Sequence, residues 1–253
     1  LNGYSFVWVE FNWGTDIYRA RQTVNEKMVA MGDELPSGIT PVMAPQSSIM
    51  GEILFVSMQA GDTTGMMELR TLADWVVKPA VLATGGVAQV TVIGGDVKEY
   101  QVLADAARMQ AYGVTMDELA AAVEGMSQNS TGGVVREYGN EYALRGMGRT
   151  SDLADMASTL VKNTGSQPVT VGDVAQVRIG SAVRMGMASR NGQPAVILSI
   201  SKQPSINTLD VTEQIERNLQ DIQKSLPADV HLDTHVFRQA DFISTSVHNV
   251  GRA

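Results

Sequence analysis

The sequence predicts an α+β fold in which a small mixed α/β domain interrupts a larger one. Three observations predict it. A strand–helix–Leu-Pro–strand unit occurs early and again late, a βαββα order runs between the two copies, and a Gly-rich, strand-leaning stretch over 130–193 breaks that order. With 253 residues, 44% of them hydrophobic, the chain has enough apolar material for packed cores and too much for a disordered polymer.

The early unit opens on Ser5–Phe11, an apolar and aromatic run that reads as a strand. Gly14-Thr15-Asp16 supplies a helix N-cap, Ile17, Ala20, Val24, Met28 and Met31 recur at helical spacing, and Leu35-Pro36 stops the helix before an extended Ile39–Met43. The late unit repeats the order. It has strand Ala195–Ser201, a turn at Gln203-Pro204-Ser205, a helix through Leu209, Ile215, Leu219 and Ile222, a Leu226-Pro227 stop and strand Val230–Val236. Cap and stop are equally separated in both units, Asp16 to Leu35 and Asn207 to Leu226.

Between them, strand Ile53–Met58 precedes a helix from Met66 that turns Leu69, Leu72, Val76 and Val77 inward and stops at Gly85-Gly86. Val87–Ile93 and Lys98–Leu103 are expected to pair as a hairpin about Gly94-Gly95-Asp96. Thr115 caps a helix with Leu119, Ala122, Val123 and Met126 on one face. Adding Ala195–Ser201 gives βαββαβ, the order of a split-βαβ, ferredoxin-like sheet. Within 130–193 the short strand candidates are Val134–Tyr138, Glu141–Gly146, Val169–Val171, Val174–Ile179 and Val183–Ser189, with a helix over Asp152–Val161. The aromatic first strand and the helical spacing of Phe242, Ile243, Val247 and Val250 up to Ala253 read as cut ends of a longer polypeptide.

Composition removes several functions. Twenty-seven acidic against 19 basic residues, net charge −8, argue against binding nucleic acid, whose phosphates need clustered Lys and Arg. Zero cysteine excludes thiolate metal sites and cysteine nucleophiles. No apolar run reaches the roughly 18 residues of a membrane span. Neither a phosphate-binding loop nor a dinucleotide fingerprint occurs. Ser199-Ile200-Ser201-Lys202 has Ser-x-x-Lys spacing but falls in a strand, where no helical turn brings the lysine over the serine.

Three groups could bind a metal. His231, Asp233 and His235 alternate along a predicted strand, so they share a face and offer ligands suited to Zn²⁺, Co²⁺ or Ni²⁺, although neighbours two apart stand about 6.6 Å from each other. A polar, solvent-facing strand side explains the same alternation. Among the 14 methionines, Met185 and Met187 share one face of a predicted strand and could serve as thioether ligands, while the helix methionines read as flexible core filler. Glu52 stands at the mouth of an apolar strand, either as a solvated edge charge or as a cleft ligand.

The motifs Val9-Glu10-Phe11 with Gly14-Thr15-Asp16, Leu35-Pro36-x-Gly38, Ser48-Ile49-Met50-Gly51-Glu52-Ile53 and Gly86-Val87-Ala88-x-Val90 with Gly94-Gly95 occur in that order. After them come Lys98-Glu99-Tyr100-Gln101-Val102, Tyr112-Gly113-Val114, Asp173-Val174-Ala175-x-Val177-x-x-Gly180 and Phe237-Arg238-Gln239-Ala240-Asp241-Phe242-Ile243. Together they resemble the first large periplasmic loop of resistance-nodulation-division (RND) efflux transporters. Glu141-Tyr142 with Arg145-x-x-Gly148, and the Gly-Glu-Ile segment, most resemble the heavy-metal branch.

The resemblance implies a proton-driven homotrimer of the bacterial inner membrane that works with a periplasmic adaptor and an outer-membrane channel. It makes 1–46 part of a first porter subdomain, 47–129 with 194–240 the second, 130–193 a docking subdomain, and 241–253 the approach to a transmembrane helix. It gives Glu52 the role of cation ligand and implies no resident cofactor. Val236-Phe237-Arg238-Gln239 departs from the Tyr-Asp-Arg-Ser-like ending usual there, so the last strand inherits no role. Two other readings stay open: an RND pump for amphiphilic organic compounds, disfavoured by an aromatic content of only 6%, and a freestanding periplasmic metal-binding protein.

Overall fold

The structure is a computed structural model, and it describes residues 5–36, 38–44, 51–126, 130–137, 140–146, 151–163 and 168–252. Its centre is an antiparallel sheet made by β1 (Glu52–Ala60), β2 (Val87–Ile93), β10 (Gln193–Lys202) and β11 (Val230–Arg238), in the order β11-β1-β10-β2. Helices α2 (Met66–Leu72) and α3 (Lys78–Leu82) connect β1 to β2, and α8 (Thr208–Gln223) connects β10 to β11. This is the split-βαβ, ferredoxin-like arrangement that the sequence predicts.

Its second half is assembled differently from the expectation. The third strand, second helix and fourth strand are β10, α8 and β11, not the segments that directly follow β2. The expected hairpin about Gly94-Gly95 does not form, because β10 already occupies the inner edge of β2. Gly94 and Gly95 have φ of +84° and +70°, and a Cβ on either would approach β10 too closely, 2.7 Å from the Ala195 carbonyl oxygen and 2.8 Å from Val196. The glycines thus let the chain leave the sheet past β10.

One sheet face is aliphatic. Leu54, Val56 and Met58 of β1, Val196, Leu198 and Ile200 of β10 and Val90 of β2 pack against Leu69, Ala73, Val77 and Val81 from the α2–α3 segment and Val211, Ile215 and Leu219 of α8. The buried residues of α2–α3 recur every four positions, which a 3.6-residue helix cannot keep on one face. A π turn over Ala73–Val77, with the Lys78 N–H reaching the Ala73 carbonyl, takes up the difference just before Pro79, which has no N–H to give. Val76, expected inward, is therefore exposed.

A second core lies within the excursion between β2 and β10. It joins β3 (Lys98–Ala104), α4 (Ala106–Tyr112), α5 (Met116–Met126), α6 (Leu153–Ala157), β6 (Leu160–Asn163), β7 (Pro168–Thr170), α7 (Val171–Val174) and β8 (Ala175–Ser181). Met109, Val114, Leu119, Val169, Val171, Val174 and Ala175 are its buried residues, and β3 pairs with β8 throughout. The spliced unit thus begins at β3, earlier than residue 130. The strand candidates Val134–Tyr138 and Glu141–Gly146 fall on β4 (Ser130–Glu137) and β5 (Asn140–Gly146), which pair antiparallel, with Tyr138 outside the described residues, and Thr115 with Glu118 caps α5 reciprocally.

Other expectations shorten or fail. The helix over Asp152–Val161 ends at Ala157 because Leu160 onward pairs with β7. Of Val183–Ser189 only the end is strand, in β9 (Ala188–Arg190), which forms a hairpin with β10 through Asn191 and Gly192, both at positive φ. Ser5–Phe11 and Ile39–Met43 are not strands, since no described strand pairs with them; between them α1 (Ile17–Ala30), capped by Asp16, buries only Ala20. At the other end α9 (Gln239–Arg252) leaves Phe242, Val247 and Val250 exposed.

One outer edge of the sheet is β11, and a side chain closes part of it. Gln223 donates from Nε2 to the Val230 carbonyl at 2.7 Å and accepts the Leu232 N–H on Oε1 at 2.8 Å, acting as a short substitute strand. Gln223→Ala leaves both backbone groups half-buried and unpaired. It is expected to cost about 1–3 kcal/mol in urea unfolding, and a change within ±0.5 kcal/mol, the range of an ordinary surface substitution, would refute that account.

Candidate functional site

The face of the sheet opposite α2, α3 and α8 is where polar side chains collect. Strand register puts Glu52, Phe55, Ser57 and Gln59 of β1 on it, with Ser199 and Ser201 of β10, Gln89 and Thr91 of β2, and His231, Asp233 and Phe237 of β11. An aliphatic face is required by the helices; the opposite face is free to carry oxygen and nitrogen. Phe55, Phe237 and Phe242 stack at one end of this face, with ring centroids 5.1 and 6.1 Å apart in turn. The Ser57 hydroxyl is buried and has no hydrogen-bond partner among the described residues.

Glu52 owes its position to a bulge. From Glu52↔Ser201 to Leu54↔Ile200 the ladder spends two residues of β1 against one of β10. Ile53 is the extra residue and enters the aliphatic core. The carboxylate leans across β10, where the Ser199 hydroxyl donates to Oε1 at 3.0 Å. Glu52 itself stays exposed, and among the described residues its Oε2 has no hydrogen-bond partner.

The histidine–aspartate trio is not brought together. Between Phe55↔Phe237 and Ser57↔Asp233 the extra residues fall on β11, and His235 lies in that bulge, exposed to solvent. Its N–H folds back onto Asp233 Oδ1 at 2.8 Å, with the ring Nδ1 at 3.3 Å, while the Arg190 guanidinium holds Oδ2 at 2.7 and 3.2 Å. His231 is exposed further along the strand, opposite Gln59. Among the described residues no group of three or more His, Asp or Glu is placed to hold a metal ion.

The His235 N–H is the largest influence holding the Asp233 carboxyl below its ordinary range; partial burial opposes it and Arg190 reinforces it. Beside Asp233, a cavity of about 590 Å³ lies between α8 and β11, lined by Glu216, Gln220, Asp233, His235 and Arg238. Arg238 closes it with a two-pronged bond to Glu216 at 2.8 and 3.0 Å and a further bond to Asp241; hydrogen bonding to Glu216 is the main cause raising its pKa.

Met185 and Met187 do not share a strand face. They lie in the irregular segment after β8, 98% and 81% exposed, because the β3–β8 ladder ends at Ser181 and Arg184 turns to grip Asp96 at 2.7 and 3.1 Å. Met58, Met109 and Met156 are buried as core. Sequence reasoning missed Ser199 as the partner of Glu52, and Arg190 as the partner of Asp233. The first bond requires the bulge and the second a contact 43 residues away in sequence, so neither has a local signal.

A split-βαβ sheet with a second core spliced between its halves, and a carboxylate on its polar face, is the architecture to be placed. The chain matches the AcrB/AcrD/AcrF family over residues 1–253 and belongs to that family. It is 31% identical to the nickel-cobalt-cadmium resistance protein NccA of Alcaligenes xylosoxydans xylosoxydans, with 90% of this chain and 24% of the relative covered. To the cobalt-zinc-cadmium resistance protein CzcA of Cupriavidus metallidurans it is 30% identical, over 92% and 23%. To the cation efflux system protein CusA of Escherichia coli K12 it is 31% identical, over 98% and 24%. A crystal structure of a heavy metal efflux pump shares the fold, with TM-score 0.82 at 23% identity, over 96% of this chain and 24% of that one. The chain thus spans about a quarter of the length of these proteins. No described helix is long and apolar enough to cross a membrane.

A carboxyl whose pKa is lower in the folded state stabilises above its unfolded value, about 3.9 for Asp, and loses that contribution as pH falls through the folded value. Asp233→Asn is therefore expected to be less stable than the parent at pH 7, with the gap closing below about pH 4. Urea unfolding across pH tests this; a gap that is constant down to acid would refute it.

Proposed function

We propose that this chain is the periplasmic porter and docking part of a proton-driven inner-membrane pump that exports heavy-metal cations, divalent ones foremost. In this reading the sheet unit is the second porter subdomain, the unit built on β3 and β8 is the docking subdomain, and residues 1–46 belong to a first porter subdomain. α9 leads toward a transmembrane helix. The pump works as a homotrimer with a periplasmic adaptor and an outer-membrane channel. Membership of the family and the metal-resistance names of the relatives support this reading.

The observation that carries it is Glu52: an exposed carboxylate at the mouth of a polar sheet face, one oxygen engaged by Ser199 and the other without a partner among the described residues. A carboxylate oxygen is a good ligand for a borderline or hard divalent cation. One carboxylate holds an ion weakly, which suits a site that must release its cargo; further ligands come from the facing wall of the cleft. His231 and Asp233 on the polar side of β11, with His235 in its bulge, are secondary candidates taken singly, and Met185 and Met187 are the thioether alternative for a soft ion such as Cu(I).

The test is metal export by the full-length pump carrying Glu52→Gln, which keeps size and removes charge. Zn²⁺, Co²⁺, Ni²⁺ and Cu(I) are assayed separately. Export of at least one divalent ion is expected to weaken about ten-fold or more. Undiminished export of every metal would overturn the assignment.

A further inference from the structure

We propose that Ser199 is a positioning residue for Glu52, holding its carboxylate in the rotamer that presents Oε2 to the cation. The inference rests on the reading of Glu52 as a cargo ligand and adds to it the residue that aims the ligand.

The sequence context makes Ser199 unusual. It sits in the middle of β10, the strand between β1 and β2, in the run Ile197-Leu198-Ser199-Ile200. A central strand position favours β-branched and aromatic side chains, and a hydroxyl placed there must find a partner or lose the solvation it had in water. Ser199 is 7% exposed, and its hydroxyl donates to Glu52 Oε1 at 3.0 Å.

The geometry of the pair is built, not incidental. By ladder register the residue opposite Glu52 is Ser201; Ser199 lies two positions further along β10, opposite Phe55 and Thr91. The bulge at Ile53 bends the end of β1 so that the glutamate reaches across to it. A glutamate has three rotatable side-chain bonds, and an exposed one is expected to sample many rotamers. A bond from a buried, rigid strand to one carboxylate oxygen removes much of that freedom during folding, so binding does not have to supply it. Because Oε1 already accepts the Ser199 bond, Oε2 is the oxygen with its full acceptor capacity free, and it is the one presented to a cation.

The alternative is that the bond serves only to satisfy a buried hydroxyl, and the two accounts separate in transport kinetics. The experiment uses the full-length pump in sealed vesicles with Zn²⁺ as the probe, or Co²⁺ or Ni²⁺ if the parent transports that ion faster. Ser199→Ala is expected to raise KM about ten-fold, as losing a ligand-orienting partner does elsewhere, with kcat within two-fold. Ser199→Thr keeps the hydroxyl and is expected to restore KM, whereas Ser199→Val, of the same shape without it, is not. In a Glu52→Gln background Ser199→Ala is expected to add nothing further, since the group it aims has gone.

An unchanged KM in Ser199→Ala, with Glu52→Gln impaired, overturns the positioning role and leaves the ligand role of Glu52 standing. Equal rescue by Val and Thr means that side-chain volume matters and not the hydroxyl, and also overturns it. An additive loss in the double variant shows that Ser199 acts independently of Glu52. If Glu52→Gln itself is without effect, the ligand reading fails and takes this inference with it.

Discussion

The pairing of β1 with β10 is the constraint on which the rest of the structure depends. These are the two inner strands of the sheet, and Ile53, Leu54, Val56 and Met58 on one and Val196, Leu198 and Ile200 on the other are inaccessible to solvent. Each fully buried aliphatic side chain contributes on the order of 1.5–3 kcal/mol relative to exposure. Without β10 in place, β2 has no neighbour in the sheet, and α8 and β11 cannot close the second crossover. Yet β10 arrives only after the whole spliced unit has been made. Such an excursion is tolerable because closure entropy grows only with the logarithm of loop length, and because the excursion folds around a core of its own.

The points where the chain enters or leaves the sheet are held by charges. Arg184 grips Asp96 across the two connecting segments, and the Ala182 N–H reaches the Val97 carbonyl beside them. Arg190 ties the β9–β10 hairpin to β11, and Arg238 ties β11 to α8 and to the start of α9. Ion pairs with this much solvent access contribute little stability singly. Their geometric effect is larger: each fixes the direction in which the chain leaves the sheet, at points where aliphatic packing has run out.

Legibility in the sequence follows the range of the interactions. The βα unit around α8 was readable because its cap, its apolar stripe, its Leu-Pro stop and its strand are all local. The composition of the ferredoxin-like sheet was half readable. Its class is implied by element order, but the choice of β10 over β3 as the third strand depends on which edge of β2 is free, and that is a tertiary fact. Asn191-Gly192 is a local hairpin signal that links β9 to β10, and it is legible in the sequence without any knowledge of the fold. At the site, the prominence of Glu52 was visible, while the bulge that aims it and the serine that receives it were not, since both arise from pairing between strands far apart in sequence.

The two faces of the sheet bear on how such a unit could serve transport. Moving a cation in one direction requires affinity that differs between states. Glu52 stands on a strand whose other face is packed into an aliphatic core, and its carboxylate is tied to the neighbouring strand. A ligand anchored in this way changes little when the protein moves as a body. If it takes the cargo, the change in affinity has to come from the wall that faces it, approaching to complete the coordination and withdrawing to leave one oxygen. Rigidity on this side then turns a displacement of the other wall into a change in ligand number, which is the quantity that sets how tightly an ion is held.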